Sequence, residues 1–263
     1  MGWFSHWRAE GATAMVTGAS SGIGFELCQL LVARGSFVIA TARRSERLMR
    51  LKQRASGPGR LHFVAGDITD AAVRLRLRDA VNEHCDGRLD LLVNNAGVGA
   101  LGPFTQAQPE RLRRIMEVNF FAPVELSRLA YPLLCQGRDP VLCNISSVLG
   151  HRAVPDKSEY CASKFALHGW SDAIRAEWKP SGIQVTLISP STTASEFFES
   201  VIDTDDNHTS HSYGSWSPNR VARAVLATIM ARRSEAILSI GGKALVYADR
   251  LTPPMVNLIL AKK

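Results

Sequence analysis

Ala12-Thr13-Ala14-Met15-Val16-Thr17-Gly18-Ala19-Ser20-Ser21-Gly22-Ile23-Gly24 runs from an apolar stretch into three glycines, and a helical pattern follows over 22–34. Glycines let a chain turn tightly and let its backbone approach a pyrophosphate, while a helix start presents free N–H groups to that anion. Read alone, the cluster is equally a tight strand-to-helix turn, so the rest of the chain decides.

Outward from this stretch, short apolar runs alternate with longer helical patterns. The runs at 12–17, 37–41, 61–64, 89–93, 141–145, 184–188 and 236–240 are nearly continuous, the pattern of strands buried on both faces of a parallel sheet. Helical patterns occupy 22–34, 45–54, 71–84, 109–134, 158–179 and 218–232. The alternation predicts an α/β fold: one doubly wound, mostly parallel sheet of about seven strands, helices on both faces, in a single domain over 1–263.

Composition agrees. A chain of 263 residues, 46% hydrophobic and 21% charged, suits a globular domain and excludes a disordered, collagen-like or disulfide-stapled one. Five cysteines (Cys28, Cys85, Cys135, Cys143, Cys161) lack metal-type spacing and imply a reduced, cytoplasmic protein. The first residues have no secretory pattern, and His6 breaks the myristoylation motif. No apolar run reaches the roughly 18–20 residues that cross a bilayer. The net charge of +7 points to nucleic acid, an anionic membrane or an anionic ligand. Nucleic acid is disfavoured, because no basic stripe interleaved with aromatics appears.

Thr17 to Gly24 reads Thr-Gly-x-x-x-Gly-x-Gly, which resembles the cofactor loop of the short-chain dehydrogenase/reductase family. The resemblance implies a Rossmann-like fold and a nicotinamide dinucleotide held by Thr17, Gly18, Ser20, Ser21, Gly22, Ile23 and Gly24. In such folds an acid at the end of the second strand meets the adenosine ribose of NAD. Here that strand ends Ala40-Thr41-Ala42-Arg43-Arg44, without a carboxylate. Guanidinium binds a 2′-phosphate well, so NADP(H) is expected, with Arg43 the main contact and Arg44 a lesser one. Between Arg43 and Arg60 seven basic residues face one acid, Glu46, which concentrates nearly all of the charge excess there.

The family's pattern extends further. Asp67, with Ile68 after it, falls where an acid holds the adenine amino group, although a turn aspartate fits equally. Asn94-Asn95-Ala96-Gly97 matches its NNAG motif, which implies structural support beside the cofactor and cofactor contacts from Asn95, Ala96 and Gly97. Tyr160 and Lys164 lie four apart on one helix face, where a lysine cation would lower the phenol pKa. Ser147 and Asn119 match the family's catalytic serine and asparagine. The resemblance thus implies catalysis by Asn119, Ser147, Tyr160 and Lys164, with Tyr160 as general acid and Asn119 ordering a water. Tyr160 and Lys164 also contact the cofactor in this reading, as do Pro190, Thr193 and Ser195. One departure is Ser191, where the family carries glycine after Pro190.

The expected activity is interconversion of a ketone or aldehyde and its alcohol by NADP(H), on a hydrophobic substrate. Rival readings are a β-ketoacyl-thioester reductase and a non-catalytic NADP(H)-binding sensor or scaffold. Sugar-nucleotide epimerases would show a differently spaced glycine motif. The resemblance also implies a homo-dimer or homo-tetramer. Residues 191–217 read as a substrate lid; His208, His211 and Asp203, Asp205 and Asp206 within it have no metal-site spacing, so no metal is expected. His151 and Arg152 either border the substrate or form a surface turn, and Cys161 reads as core. The apolar, basic tail 241–263 is divided by Pro253-Pro254, so it cannot be one helix. Packing on protein is its favoured role, and peripheral membrane contact is the alternative.

Overall fold

Successive side chains of the strands face two separate apolar cores. In β1 (Thr13–Thr17), Ala14 and Val16 enter one core and Met15 the other. Leu91 and Val93 against Leu92 in β4 (Leu91–Asn94) repeat the division, as do Val141 and Cys143 against Leu142 in β5 (Val141–Ile145). The first core is closed by α1 (Gly22–Val32), α2 (Ser45–Arg54) and α7 (Pro218–Met230). The second is closed by α3 (Ala71–Cys85), α5 (Ala122–Cys135) and α6 (Ser158–Glu177). Helices on both faces explain why the strands are apolar throughout rather than alternating. This computed structural model describes residues 6–191, 193 and 215–261.

The remaining strands are β2 (Phe37–Ala42), β3 (Arg60–Ala65), β6 (Gln184–Ser189) and β7 (Glu235–Ile237). All pair in parallel, in the order β3-β2-β1-β4-β5-β6-β7. The chain builds outward from β1 on one side, then returns and builds outward from β4 on the other. Loops leaving β1 and β4 therefore part in opposite directions and open a crevice, the place where such sheets bind ligands. The expected doubly wound, Rossmann-like architecture is the observed one.

Local differences have local causes. The pattern over 109–134 is not one regular helix: α4 (Pro109–Met116) passes through a turn of π-helix (Glu117–Phe121) into α5. Pro123 has no N–H for the Asn119 carbonyl, so the ladder widens, and Ala122 N–H bonds to the Glu117 carbonyl instead. β7 stops at Ile237 rather than running to 240, because the Ser239 hydroxyl accepts from Gly242 N–H at 2.8 Å and starts α8 (Ile240–Leu251). The tail breaks at Pro253 as expected, giving α9 (Pro253–Ala261). Of the tail's side chains described, Val246 and Val256 are the buried apolar ones. Packing on this chain therefore accounts for one edge of the tail and no more.

Candidate active site

The loops after β1, β2, β4, β5 and β6 surround a cleft of about 270 Å³. Its first wall is the turn into α1. Gly18 has φ +68°, and a Cβ there would stand 2.8 Å from Asn95 Nδ2. A Cβ on Gly24 would stand 2.5 Å from both Asn95 Nδ2 and the Gly18 carbonyl. Glycine is therefore required by the approach of β4's loop as much as by the turn. Asn95 Nδ2 donates to the carbonyls of Thr17 (2.9 Å) and Gly18 (3.2 Å), while Thr17 Oγ1 accepts from the N–H groups of Asn95 and Ala96, both at 3.0 Å. Gly24→Ala should lower stability by about 1–3 kcal/mol through this crowding, read as a lower midpoint in urea; an unchanged midpoint would contradict it.

Gly18, Ser20, Ser21, Gly22 and Ile23 line the cleft, whereas Thr17 and Gly24 shape it from behind. Ser21 caps α1 without a side-chain hydrogen bond, and the first turn of that helix borders the cleft. At the same end lie Arg43, Arg44, Asp67 and Ile68. Arg43 is exposed, and Arg44 donates to Ser20 Oγ at 3.3 Å. Asp67 Oδ1 accepts from Thr69 N–H (2.9 Å) and Thr69 Oγ1 (2.8 Å), so the turn role holds while the residue also faces the cleft.

The other end carries Ser147, Tyr160 and Lys164, together with Asn95, Ala96, Gly97, Pro190, Ser191 and Thr193. Ser147 follows β5, and its Oγ accepts from Leu149 N–H at 3.1 Å, which starts the 3₁₀ turn Val148–Gly150. It also hydrogen-bonds Tyr160. Lys164 is one turn further along α6; its Nζ donates to the Ile145 carbonyl at 3.1 Å and lies 5.7 Å from the centre of the Tyr160 ring. Burial pushes the Tyr160 phenol up to about 12, against the lowering effect of the Ser147 hydrogen bond. Burial also pulls Lys164 down to about 8. Desolvation of the phenolate dominates, and the expected lowering by a lysine cation is not among the effects that act on this phenol.

Asn119 stands just behind the cleft wall. The π-turn aims it behind the cleft, where Oδ1 accepts from Val98 N–H (2.8 Å) and Nδ2 donates to the Val98 carbonyl and Ser163 Oγ, both at 3.0 Å. It does not line the cleft; it braces the strand end after Gly97 against α6. Asn94 does comparable work, reaching Ser127 and Asn144 through Nδ2.

Ser191 fits the cleft wall despite its Cβ, and its carbonyl accepts from Thr193 Oγ1 at 3.4 Å. Ser195 and the histidines and aspartates of 203–211 lie outside the described residues. So does most of the stretch 191–217 expected to be a lid; of its described residues, Thr193 and Trp216 meet in a bridge. His151 and Arg152 turn away from the cleft: His151 Nε2 meets Ser189 Oγ at 3.0 Å, and Arg152 pairs with Asp249 at 2.8 Å. Cys161 is buried, as a core residue should be.

Two features have no counterpart in the motif reading. Lys157, three residues before Tyr160, lines the cleft. Arg111 of α4 donates to Glu159 Oε1 through Nε (2.9 Å), and its Nη2 lies 2.8 Å from the same oxygen as an ion pair, with both side chains only 3% exposed. The available signal was positional: Arg111 shares a helix face with Ile115 and Asn119, both buried.

Comparison with known proteins agrees with this geometry. A family model described as short chain dehydrogenase matches residues 12–206. Dehydrogenase/reductase SDR family member 7B of Xenopus tropicalis is 30% identical, over 97% of this chain and 86% of its own. A 3-ketodihydrosphingosine reductase of Bacteroides thetaiotaomicron is 34% identical over 67% of this chain and 62% of its own. Among solved structures, a short chain dehydrogenase of Burkholderia cenocepacia in complex with NADP is 26% identical with a TM-score of 0.81, covering 97% of this chain and 99% of that one. One from Burkholderia phymatum in complex with NAD shares the fold at 21% identity and a TM-score of 0.84, covering 95% and 96%. With Ser147, Tyr160 and Lys164 gathered at the crevice of a doubly wound sheet, the chain belongs to the short-chain dehydrogenase family and is an oxidoreductase acting on alcohol and carbonyl groups.

Proposed function

We propose that this protein interconverts a hydrophobic ketone or aldehyde and its alcohol using NADP(H), with residues 1–263 acting as one domain. The observation that carries the reading is a cleft that holds Ser147 and Tyr160, hydrogen-bonded, at one end and Arg43 and Arg44 at the other.

The residues fit a dinucleotide on structural grounds. The uncapped first turn of α1 offers N–H groups to a pyrophosphate, and the glycine turn leaves no side chain in the way. Arg43 and Arg44 stand where an adenosine 2′-phosphate would need cations, and no carboxylate of β2 opposes it. A relative solved with NADP supports the same preference. Bound in this cleft, the nicotinamide supplies or accepts the hydride. Ser147 and Tyr160 hold the substrate oxygen by hydrogen bonds and set its orientation. Tyr160 then gives that oxygen a proton; burial keeps the phenol protonated at neutral pH, the form a general acid needs. Lys164 places a cation beside the phenolate left behind and limits the cost of that buried charge. Val98, Ala100, Leu101, Val118, Val148 and Leu149 give the cleft an apolar lining suited to a hydrophobic carbonyl compound. The relative named 3-ketodihydrosphingosine reductase, whose name describes a carbonyl reduction, is consistent with that choice.

The test is NADPH and NADH oxidation against a panel of ketones and aldehydes. Turnover with NADPH on apolar carbonyls is expected, and comparable dissociation constants for the two cofactors would refute the preference. Replacing Arg43 and Arg44 together by alanine should raise the KM for NADPH roughly 10–100-fold while leaving that for NADH within about twofold. NADPH binding without turnover on any carbonyl would favour a sensor instead.

A further inference from the structure

We propose that α8 and α9 form a docking face for an anionic lipid bilayer surface, on which the protein lies without crossing it. Soluble chains bury most large apolar side chains or scatter the rest; here six are gathered on two consecutive helices. Ile240, Tyr247, Leu251, Met255, Leu258 and Ile259 are between 52% and 88% exposed. Within α8 Tyr247 and Leu251 are one turn apart, and within α9 Met255 is one turn from both Leu258 and Ile259, so each helix gathers its exposed apolar residues on one side, while Val246 and Val256 are buried.

The pair is fixed rather than loosely attached. Arg152 donates to Asp249 of α8 (2.8 Å) and to Asn257 of α9 (2.5 Å), so one guanidinium ties both helices to the body. Gly242 lets α8 sit directly on Val148, where a Cβ would come 2.6 Å from Val148 Cγ1. The apolar side faces outward because the other side is already committed.

Charge selects the occupant. Asp249 is the only acid in α8 and α9, and Arg152 neutralises it. Lys243 and Arg250 are exposed and lie one turn before and one turn after Tyr247 on α8. Cations interleaved with Tyr, Leu and Ile match a surface of anionic headgroups over hydrocarbon. A second copy of the chain offers the same positive charge and repels it. A stable protein interface also takes about 20–30 residues a side, more than this two-helix strip provides. Among the described residues no helix is long and apolar enough to cross a membrane, so contact is at the surface. Val148 lines the active-site cleft, so docking here sets the substrate end of the enzyme beside lipid.

The experiment is co-sedimentation of the whole protein with phosphatidylcholine vesicles, with and without about one third phosphatidylserine. The protein should pellet with the serine-containing vesicles and several-fold less with phosphatidylcholine alone. Leu258→Asp with Ile259→Asp should weaken vesicle binding at least about tenfold. Lys243→Glu with Arg250→Glu should abolish the dependence on phosphatidylserine. Both pairs are exposed, so circular dichroism and melting temperature should match the parent and show that folding is intact. Solution mass, measured in parallel, should be the same for parent and variants. Absence of vesicle binding by the parent, equal binding by the aspartate variant, or a fall in solution mass on mutation would each overturn the proposal; the last would assign the face to a second copy.

Discussion

Tyr160→Phe is expected to cut kcat for carbonyl reduction by roughly 10²–10⁴-fold while the KM for NADPH moves little. The substitution removes one oxygen and leaves the ring in place on α6, so packing survives. What disappears is the proton that the substrate oxygen must receive, and the second hydrogen bond beside that of Ser147. Ser147→Ala keeps the acid but loses a partner that orients both the phenol and the substrate, so its loss should be smaller. Stopped-flow NADPH oxidation separates the two, because the phenylalanine variant should still bind cofactor. Turnover by that variant within about threefold of the parent would show that the proton comes from elsewhere.

Glu159→Gln should be the most destabilising single change in the site region, by roughly 3–5 kcal/mol. It removes the carboxylate charge that Glu159 sets against the buried Arg111 guanidinium. Burial by itself raises the Glu159 pKa, but hydrogen bonds from Arg111 and Ser158, with the charge of Arg111, outweigh it and hold the carboxyl below its ordinary value of 4.5. The sign of the pH effect follows from that depression. The pair's contribution is complete above the ordinary value and is lost as pH falls through the lower value of the folded protein. Urea unfolding should therefore show a large gap between parent and variant at pH 7 that narrows in acid. A double change, Arg111→Leu with Glu159→Leu, should recover much of the loss, since both buried charges of the pair are removed together. Equal midpoints for parent and Glu159→Gln at neutral pH would remove the pair from any account of stability. Because Glu159 adjoins Tyr160, the single variant should also loosen the phenol, and activity should fall alongside stability.

Local patterns carried most of the architecture. Continuous apolar runs located all seven strands, since burial on both faces leaves that mark in the residues themselves. Ser45–Arg54 and Val141–Ile145 coincide with the expected bounds, and Ala71–Cys85 differs by one residue. What the sequence left unread depends on remote partners. Asn119 is turned from the cleft by a proline four residues on, and then held by Val98 and Ser163. Arg111 and Glu159 are 48 positions apart, and nothing in either helical pattern announces that they meet. The phenol's raised pKa likewise depends on how deeply the folded chain surrounds it. Motif order told which side chains converge, not how much water they keep.

The bonds from Asn95 to Thr17 and Gly18 have a consequence for how the protein assembles. Asn95 is 78 and 77 positions from these partners, and three strands and three helices intervene in the chain. The glycine turn is continuous in sequence, yet its working shape waits for β4 to arrive beside β1. A nascent chain that has made only β1, α1 and β2 therefore owns the motif without the site. Distant closure of this kind is slow relative to helix formation, so competence to hold a nucleotide should appear late, together with the central strands rather than before them.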